Sequence, residues 1–197
     1  MLGIRRVVLT DDQMRFARVV GTARNKRALE KGAVPLAGQL AEKCLENNIY
    51  GARAESAAAK SIDRYWQTEI SDKNAADVGP YDVRCAAGKY DDLILRSEDD
   101  KRDPMRRFIA VAHPDCGSAV FYALGFITLF EGRWFGRPGG DPNRPPCCCV
   151  PRAALLDMDG LVPRTPDNAN YTIISEEEYL LERAEALERR RALSRQG

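Results

Sequence analysis

Three acidic residues and one arginine in the middle of the chain have the types and spacing of a cation-binding site. They are Glu55, Asp77, Asp82 and Arg84. Carboxylate oxygens are the ligands that Mg²⁺ prefers, and a site often combines one or two carboxylates with water. A metal ion held by these side chains would activate water and neutralise negative charge on a phosphodiester.

The acid at position 55 belongs to a predicted helix. The stretch Gly51–Trp66 is rich in alanine, and its apolar residues recur at helical spacing. We expect Glu55 at the edge of the apolar face, where small side chains allow a sheet to approach closely. A second helical segment is predicted just before it, over residues 39–50.

The other two acids belong to a predicted turn and strand. Over Tyr81–Cys85 the apolar residues recur with a period of two, which indicates a strand. Asp82 and Arg84 would then leave the strand on the same face. The pair Gly79-Pro80 permits a bend that brings Asp77 back towards Asp82.

Helix-start signals occur near both ends of the chain. Thr10 and Gln13 form a capping box, and the helix that follows is expected to end near Gly32. Ser175 and Glu178 form a second capping box before a charged helix whose acidic residues come first and whose arginines come last. The N-terminal third is therefore predicted to be helical, as is the C-terminal segment.

Turn residues separate four apolar runs, which predicts an antiparallel meander of strands. The runs are residues 81–85, 93–95, 108–112 and 120–127. A Pro- and Gly-rich loop is expected over residues 136–146, and a short edge strand over Cys147–Val150. Together these elements predict an α/β (α+β) fold with a central, mostly antiparallel mixed sheet flanked by helices. The expected organisation is one domain: an N-terminal helical segment (1–36), a core (37–160), and a linker with a charged helix (161–197).

The order of these features resembles that of the PD-(D/E)XK nuclease superfamily over residues 38–156. The helix sequence GARAE is followed about twenty residues later by ADVGPYDVR, and the later strands have the rhythm of phage-encoded and bacterial members. In that family a helix glutamate, a strand aspartate and an acidic-x-Lys motif meet around magnesium. The resemblance implies a restriction-endonuclease-like core and a metal-dependent deoxyribonuclease. Its catalytic residues would be Glu55, Asp77, Asp82 and Arg84, and the three acids would bind Mg²⁺ or Mn²⁺.

Two residues depart from the family pattern. Asp82 stands where glutamate is usual, so its side chain is one methylene shorter, and Arg84 replaces lysine. A lysine can shift its pKa and help to deprotonate water, whereas arginine stays protonated and grips phosphate. Two hypotheses therefore stay open. One is a nuclease or nuclease-like nucleic-acid-processing protein. The other is a catalytically inactive nuclease-fold protein that acts as a phage structural or assembly component or as a protein-interaction module.

The charge balance limits the partners that we expect. The chain has 30 basic and 29 acidic residues, so a nucleic acid would need a local basic patch. Arg133, Trp134 and Arg137 are the candidate nucleic-acid contacts, because arginines interleaved with aromatic rings suit phosphates and bases. A protein partner or a homo-oligomer is the alternative. No membrane partner is expected, since no run approaches the roughly 20 apolar residues of a membrane helix. With no signal peptide visible, we expect a cytoplasmic protein, in the host cytoplasm if it is phage-encoded.

Six cysteines are present, and three of them are consecutive. Free thiols are the expectation, because neighbouring cysteines rarely bridge each other and no secretion signal is visible. A zinc site formed by His113, Cys116, Cys147 and Cys149 is the alternative, although its spacing matches no standard zinc module.

Overall fold

The computed structural model describes residues 3–32, 41–68, 75–86, 92–113, 118–139, 146–161 and 170–194. Over these residues the chain forms four α-helices and eight strands in two sheets. The helices are α1 (Asp11–Glu30), α2 (Ala41–Ser61), α3 (Leu129–Phe135) and α4 (Glu176–Ser194). The strands are β1 (Ile4–Val8), β2 (Tyr81–Cys85), β3 (Leu93–Arg96), β4 (Arg107–Ala112), β5 (Val120–Thr128), β6 (Arg137–Gly139), β7 (Cys147–Val150) and β8 (Thr172–Ile174). The predicted α/β class is confirmed.

The main sheet contains five strands in the order β2-β4-β5-β1-β8. Strand β2 runs parallel to β4, and every other neighbouring pair is antiparallel. The predicted mixed, mostly antiparallel sheet is therefore confirmed. Strand β2 lies at one end of this order among the described strands, and it carries Asp82 and Arg84.

The predicted meander is wrong beyond the β4–β5 hairpin. Strand β2 pairs with β4 instead of β3, and β3 lies in a second, antiparallel sheet of order β3-β7-β6. The predicted strand Cys147–Val150 forms as β7, but it is the central strand of the small sheet and not an edge. Turn residues show where a chain reverses. They do not determine which strand becomes its neighbour.

The two faces of the main sheet pack against different layers. On one face, Ala54 and Ala58 of α2 share a core cluster with Val83 and Ile109. On the other face, the small sheet packs against side chains of β4 and β5 in a second cluster that includes Phe108, Leu124, Leu93, Leu95 and Val150. Residues that alternate along β2 and β4 therefore point either to the helix layer or to the small-sheet layer.

Both capping boxes are confirmed. Thr10 Oγ1 accepts a hydrogen bond from Gln13 N–H at 3.2 Å, and Gln13 Oε1 accepts one from Thr10 N–H at 2.9 Å. Ser175 and Glu178 make the same reciprocal bonds before α4. Residues 41–61 form a single helix that continues through Gly51, in place of the two predicted segments.

Four short elements were not predicted from the sequence. Strand β1 lies inside the N-terminal third, which was predicted to be helical, and it pairs with β5 and β8. Helix α3 and strand β8 were not predicted either. Strand β6 forms within the stretch 136–146 that was expected to be a loop, because it pairs with β7. The terminal segments thus both contribute strands to the main sheet. None of the described helices is long and apolar enough to cross a membrane.

Candidate functional site

A tight turn brings Asp77 back to the edge of β2. Val78 and Tyr81 exchange backbone hydrogen bonds of 3.0 and 2.9 Å, and Gly79 has a φ of +52°, a conformation that glycine adopts without strain. The turn folds Asp77 alongside the strand, where its Oδ2 accepts a hydrogen bond from the Val83 N–H at 2.8 Å. The bend predicted at Gly79-Pro80 is confirmed.

The surroundings of Asp77 disfavour its ionised form. Burial raises the pKa of this carboxyl, and the negative charges of Glu55 and Asp82 raise it further, to about 6. The hydrogen bond from Val83 and the positive charge of Arg84 act in the opposite direction on this pKa. All three other candidate residues thus lie close enough to influence Asp77 electrostatically.

Glu55 already has a partner for each of its oxygens. Its Oε1 accepts a hydrogen bond from Arg24 Nη1 of α1 at 2.6 Å, and its Oε2 accepts one from Trp66 Nε1 at 2.8 Å. Trp66 forms an antiparallel bridge with Val78, which places this group beside the turn that carries Asp77. The buried charge of Glu55 is therefore balanced by an arginine from the neighbouring helix.

Asp82 is held by two arginines. Arg106 donates to both carboxylate oxygens in a forked arrangement, with Nε to Oδ2 at 2.9 Å and Nη2 to Oδ1 at 3.0 Å. Arg102 Nη1 donates to Oδ2 at 2.6 Å. Asp82 is almost completely buried, so these bonds replace the water that its charge would otherwise require.

Arg84 is part of the same group of ion pairs as Asp82. Its Nη2 donates to Asp99 Oδ1 at 2.9 Å, and its guanidinium lies 5.1 Å from the centre of the Phe108 ring. Arg102 connects the two pairs, because its Nε lies 3.6 Å from Asp99 Oδ1 while its Nη1 binds Asp82. Opposite charges alternate through this cluster, which we call the β2 ion network: Asp82, Arg84, Asp99, Arg102 and Arg106.

The main sheet separates Glu55 from Asp82. In the parallel register Asp82 is paired with Phe108, which packs in the small-sheet core, whereas Val83 is paired with Ile109 in the helix-side core. Alternation along the strand therefore directs Asp82 and Arg84 away from α2, the helix that carries Glu55. Asp82 and Arg84 do share one face, as predicted, but it is the face opposite to Glu55.

The residues proposed as metal ligands do not fit a shared magnesium or manganese site as they lie here. Glu55 and Asp82 occupy different faces, and guanidinium or indole groups already take their oxygens. Within the described parts of the chain, no three or more His, Cys, Asp or Glu side chains are grouped so that they could hold a metal ion.

The three residues predicted to contact nucleic acid differ in their surroundings. Arg133 donates to Asp100 Oδ1 at 2.7 Å and to backbone carbonyls of β3, and Arg137 donates to Asp92 Oδ2 at 3.0 Å. Both arginines are therefore paired with carboxylates. Trp134, by contrast, is 77% exposed and projects from α3.

The residues of the alternative zinc site are not brought together within the described structure. His113 stacks on Tyr50 of α2, with ring centres 5.0 Å apart, and this contact lies on the helix side of the main sheet. Cys147 and Cys149 belong to the small sheet on the other side. Cys116 falls outside the described residues.

Sequence reasoning missed the partners that define this site. Asp99 and Arg102 lie in the polar run 97–104, which was interpreted as a turn, and Arg106 lies two residues after it. A usable signal existed, because this stretch contains both acidic and basic residues and the next strand begins directly afterwards. The chain matches no protein-family model, no curated protein and no solved structure.

Proposed function

We propose that this chain is a nuclease-like α/β protein that works by binding a protein partner and not by metal-dependent cleavage. The observation that carries the proposal is an exposed cluster of large apolar side chains on and beside α3. We call it the α3 apolar face, and it consists of Met105, Phe130 and Trp134. In this proposal, the resemblance to PD-(D/E)XK nucleases extends to the fold and not to the activity.

The β2 ion network supports the proposal that the chain does not act by metal-dependent cleavage. A metal ion at Asp82 would have to displace Arg106 and Arg102, whose charges already neutralise the carboxylate. Separating a buried carboxylate from its guanidinium partner costs roughly 3–5 kcal/mol, which metal binding would have to offset. Arg84 is likewise engaged by Asp99 and would not be free to grip a scissile phosphate.

The α3 apolar face supports the proposal that the chain binds a protein partner. Trp134 is 77% exposed, Met105 63% and Phe130 61%. Phe130 and Trp134 lie one helical turn apart and so share a face of α3. The Phe130 N–H donates to Pro104 O at 2.9 Å, which fixes Met105 next to the helix. Exposed aromatic and methionine side chains of this kind are enriched in protein interfaces.

A protein partner fits this surface better than a nucleic acid. Phosphate binding requires unpaired positive charge, but Arg133 and Arg137 are engaged by Asp100 and Asp92. The whole chain carries a formal charge of only +1, so it has little long-range attraction for a polyanion.

The test compares Trp134→Ala with Tyr65→Ala, a matched control because Tyr65 is an equally exposed aromatic residue (78%) remote from α3. Self-association is measured by sedimentation velocity, and other partners by quantitative mass spectrometry of proteins retained from an extract of the source cells. We expect association to be lost in Trp134→Ala and retained in Tyr65→Ala. Equal association of both variants would contradict the proposal.

A second candidate function is a magnesium-dependent nuclease, and the environment of Asp77 favours it. Shifted carboxyl pKa values are common at catalytic sites, and the pKa of Asp77 is raised by burial and by the neighbouring Glu55. The assay is cleavage of supercoiled and linear DNA with Mg²⁺ or Mn²⁺, together with Mg²⁺ calorimetry. We expect neither turnover nor binding. Cleavage by the unaltered chain that disappears in Asp77→Ala would establish the nuclease instead.

A further inference from the structure

Strand β7 presents two thiols on one side and a third on the other. Cys147 Sγ lies 3.1 Å from Gly139 O of the adjacent strand, whereas Cys148 Sγ points towards α3 and lies 3.5 Å from Gly132 O. Alternation along the strand then places Cys149 on the same side as Cys147. All three are free thiols.

Both sulfur atoms of the first pair lie against the same glycine. An added Cβ at Gly139 would come within 2.3 Å of Cys149 Sγ, so the absence of a side chain makes room for this sulfur. The carbonyl of Gly139 contacts the other sulfur, that of Cys147. Cys147 and Cys149 therefore lie next to each other on this side of the strand, and both are only partly buried. They form a paired dithiol that solutes can reach.

We propose that Cys147 and Cys149 form a two-coordinate binding site for a soft, thiophilic monovalent cation, of which Cu⁺ is the type. Thiolate sulfur selects soft cations such as Cu⁺. Two sulfurs suffice for this ion, whereas a structural zinc site requires four ligands. No grouping of three or more possible ligands exists among the residues that the structure describes.

Binding is a ligand exchange without any change of oxidation state. Two thiols and one Cu⁺ give a bis-thiolate complex with a charge of −1, and two protons are released. The apparent affinity for Cu⁺ should therefore increase with pH.

The test titrates the full chain with Cu⁺, without oxygen, against a coloured Cu⁺ chelator. We expect one tightly bound Cu⁺ per chain, with release of two protons. Cys147→Ser and Cys149→Ser should each lose the competition with the chelator. Cys148→Ser is the matched control and should compete as well as the unaltered chain.

A fourth variant tests the geometry while every thiol is retained. Gly139→Ala places a Cβ against Cys149 Sγ and should weaken Cu⁺ binding, with folding checked by circular dichroism. The proposal is overturned if the unaltered chain binds no Cu⁺ or if Cys148→Ser is as defective as Cys147→Ser. Full affinity in the Cys147→Ser/Cys149→Ser double variant, or preferential uptake of Zn²⁺, would also overturn it.

Discussion

Replacing Asp77 with asparagine should stabilise the protein at neutral and alkaline pH. The pKa of Asp77 is raised from an ordinary value near 3.9 in an unfolded chain to about 6 in the folded protein, first by burial and then by the charge of Glu55. The folded state therefore binds this proton more tightly. The resulting stabilisation is fully present below about pH 4 and is lost as the pH rises through about 6.

The expected change in the free energy of unfolding follows from the pKa shift of Asp77. Two pKa units correspond to roughly 3 kcal/mol between the protonated and ionised forms of the folded protein. Asparagine avoids that cost because it is neutral at every pH, and its side-chain oxygen can still accept the hydrogen bond from Val83 N–H. Asp77→Asn should therefore equal the unaltered chain near pH 4 and exceed its free energy of unfolding by up to about 3 kcal/mol at pH 8.

Urea unfolding at pH 4.5 and pH 8, followed by tryptophan fluorescence and circular dichroism, measures this difference. Asp103→Asn is the control, because Asp103 is exposed and also accepts a backbone hydrogen bond, from Met105 N–H at 2.8 Å. The control should gain nothing between the two pH values. If Asp77→Asn is no more stable than the unaltered chain at pH 8, the assigned environment of Asp77 is wrong.

Two further predictions concern the ion network and the helix pair. Arg106→Ala should lower the free energy of unfolding by roughly 3 kcal/mol, because it removes two bonds from the buried Asp82. The exposed Arg107→Ala should cost much less, and urea titration of both variants checks the difference. Gly21→Ala should destabilise by about 1–3 kcal/mol, since its Cβ would lie 2.6 Å from the backbone Cα of Ile49 in α2. Gly51→Ala meets no atom within 4 Å and should stabilise helix α2 by roughly 0.5–1 kcal/mol, so equal melting temperatures of the two glycine variants would contradict the packing.

Local sequence signals predicted local structure well. The capping boxes at Thr10 and Ser175 and the turn at Gly79 are formed as expected, because each depends on residues only a few positions apart. Strand β1 was missed because its five residues include two adjacent arginines, which interrupt the apolar pattern. Arg5 is nevertheless buried, and its guanidinium is bound by Ser61 O and Asp159, groups far away in the sequence.

The candidate site was predicted only in part, because local sequence patterns show which residues share a face of a strand but not what that face packs against. The sequence placed Asp82 and Arg84 on one face of a strand, and they do share a face. It could not show which layer that face meets, because a shift of one residue exchanges the two sides of a strand. The parallel pairing with β4 decides this point by setting Val83 opposite Ile109 and hence towards α2. That pairing depends on contacts between distant parts of the chain, and no local pattern encodes it.

The position of β1 between β5 and β8 has a consequence for biosynthesis. This strand is made before either neighbour, since Val7 pairs with Phe121 and Ile4 with Ile174. While translation continues, both of its hydrogen-bonding edges remain open, which is a known route to aggregation. A nascent chain that stops before β8 would retain one such edge permanently, so premature termination should yield a species that requires chaperones or is degraded.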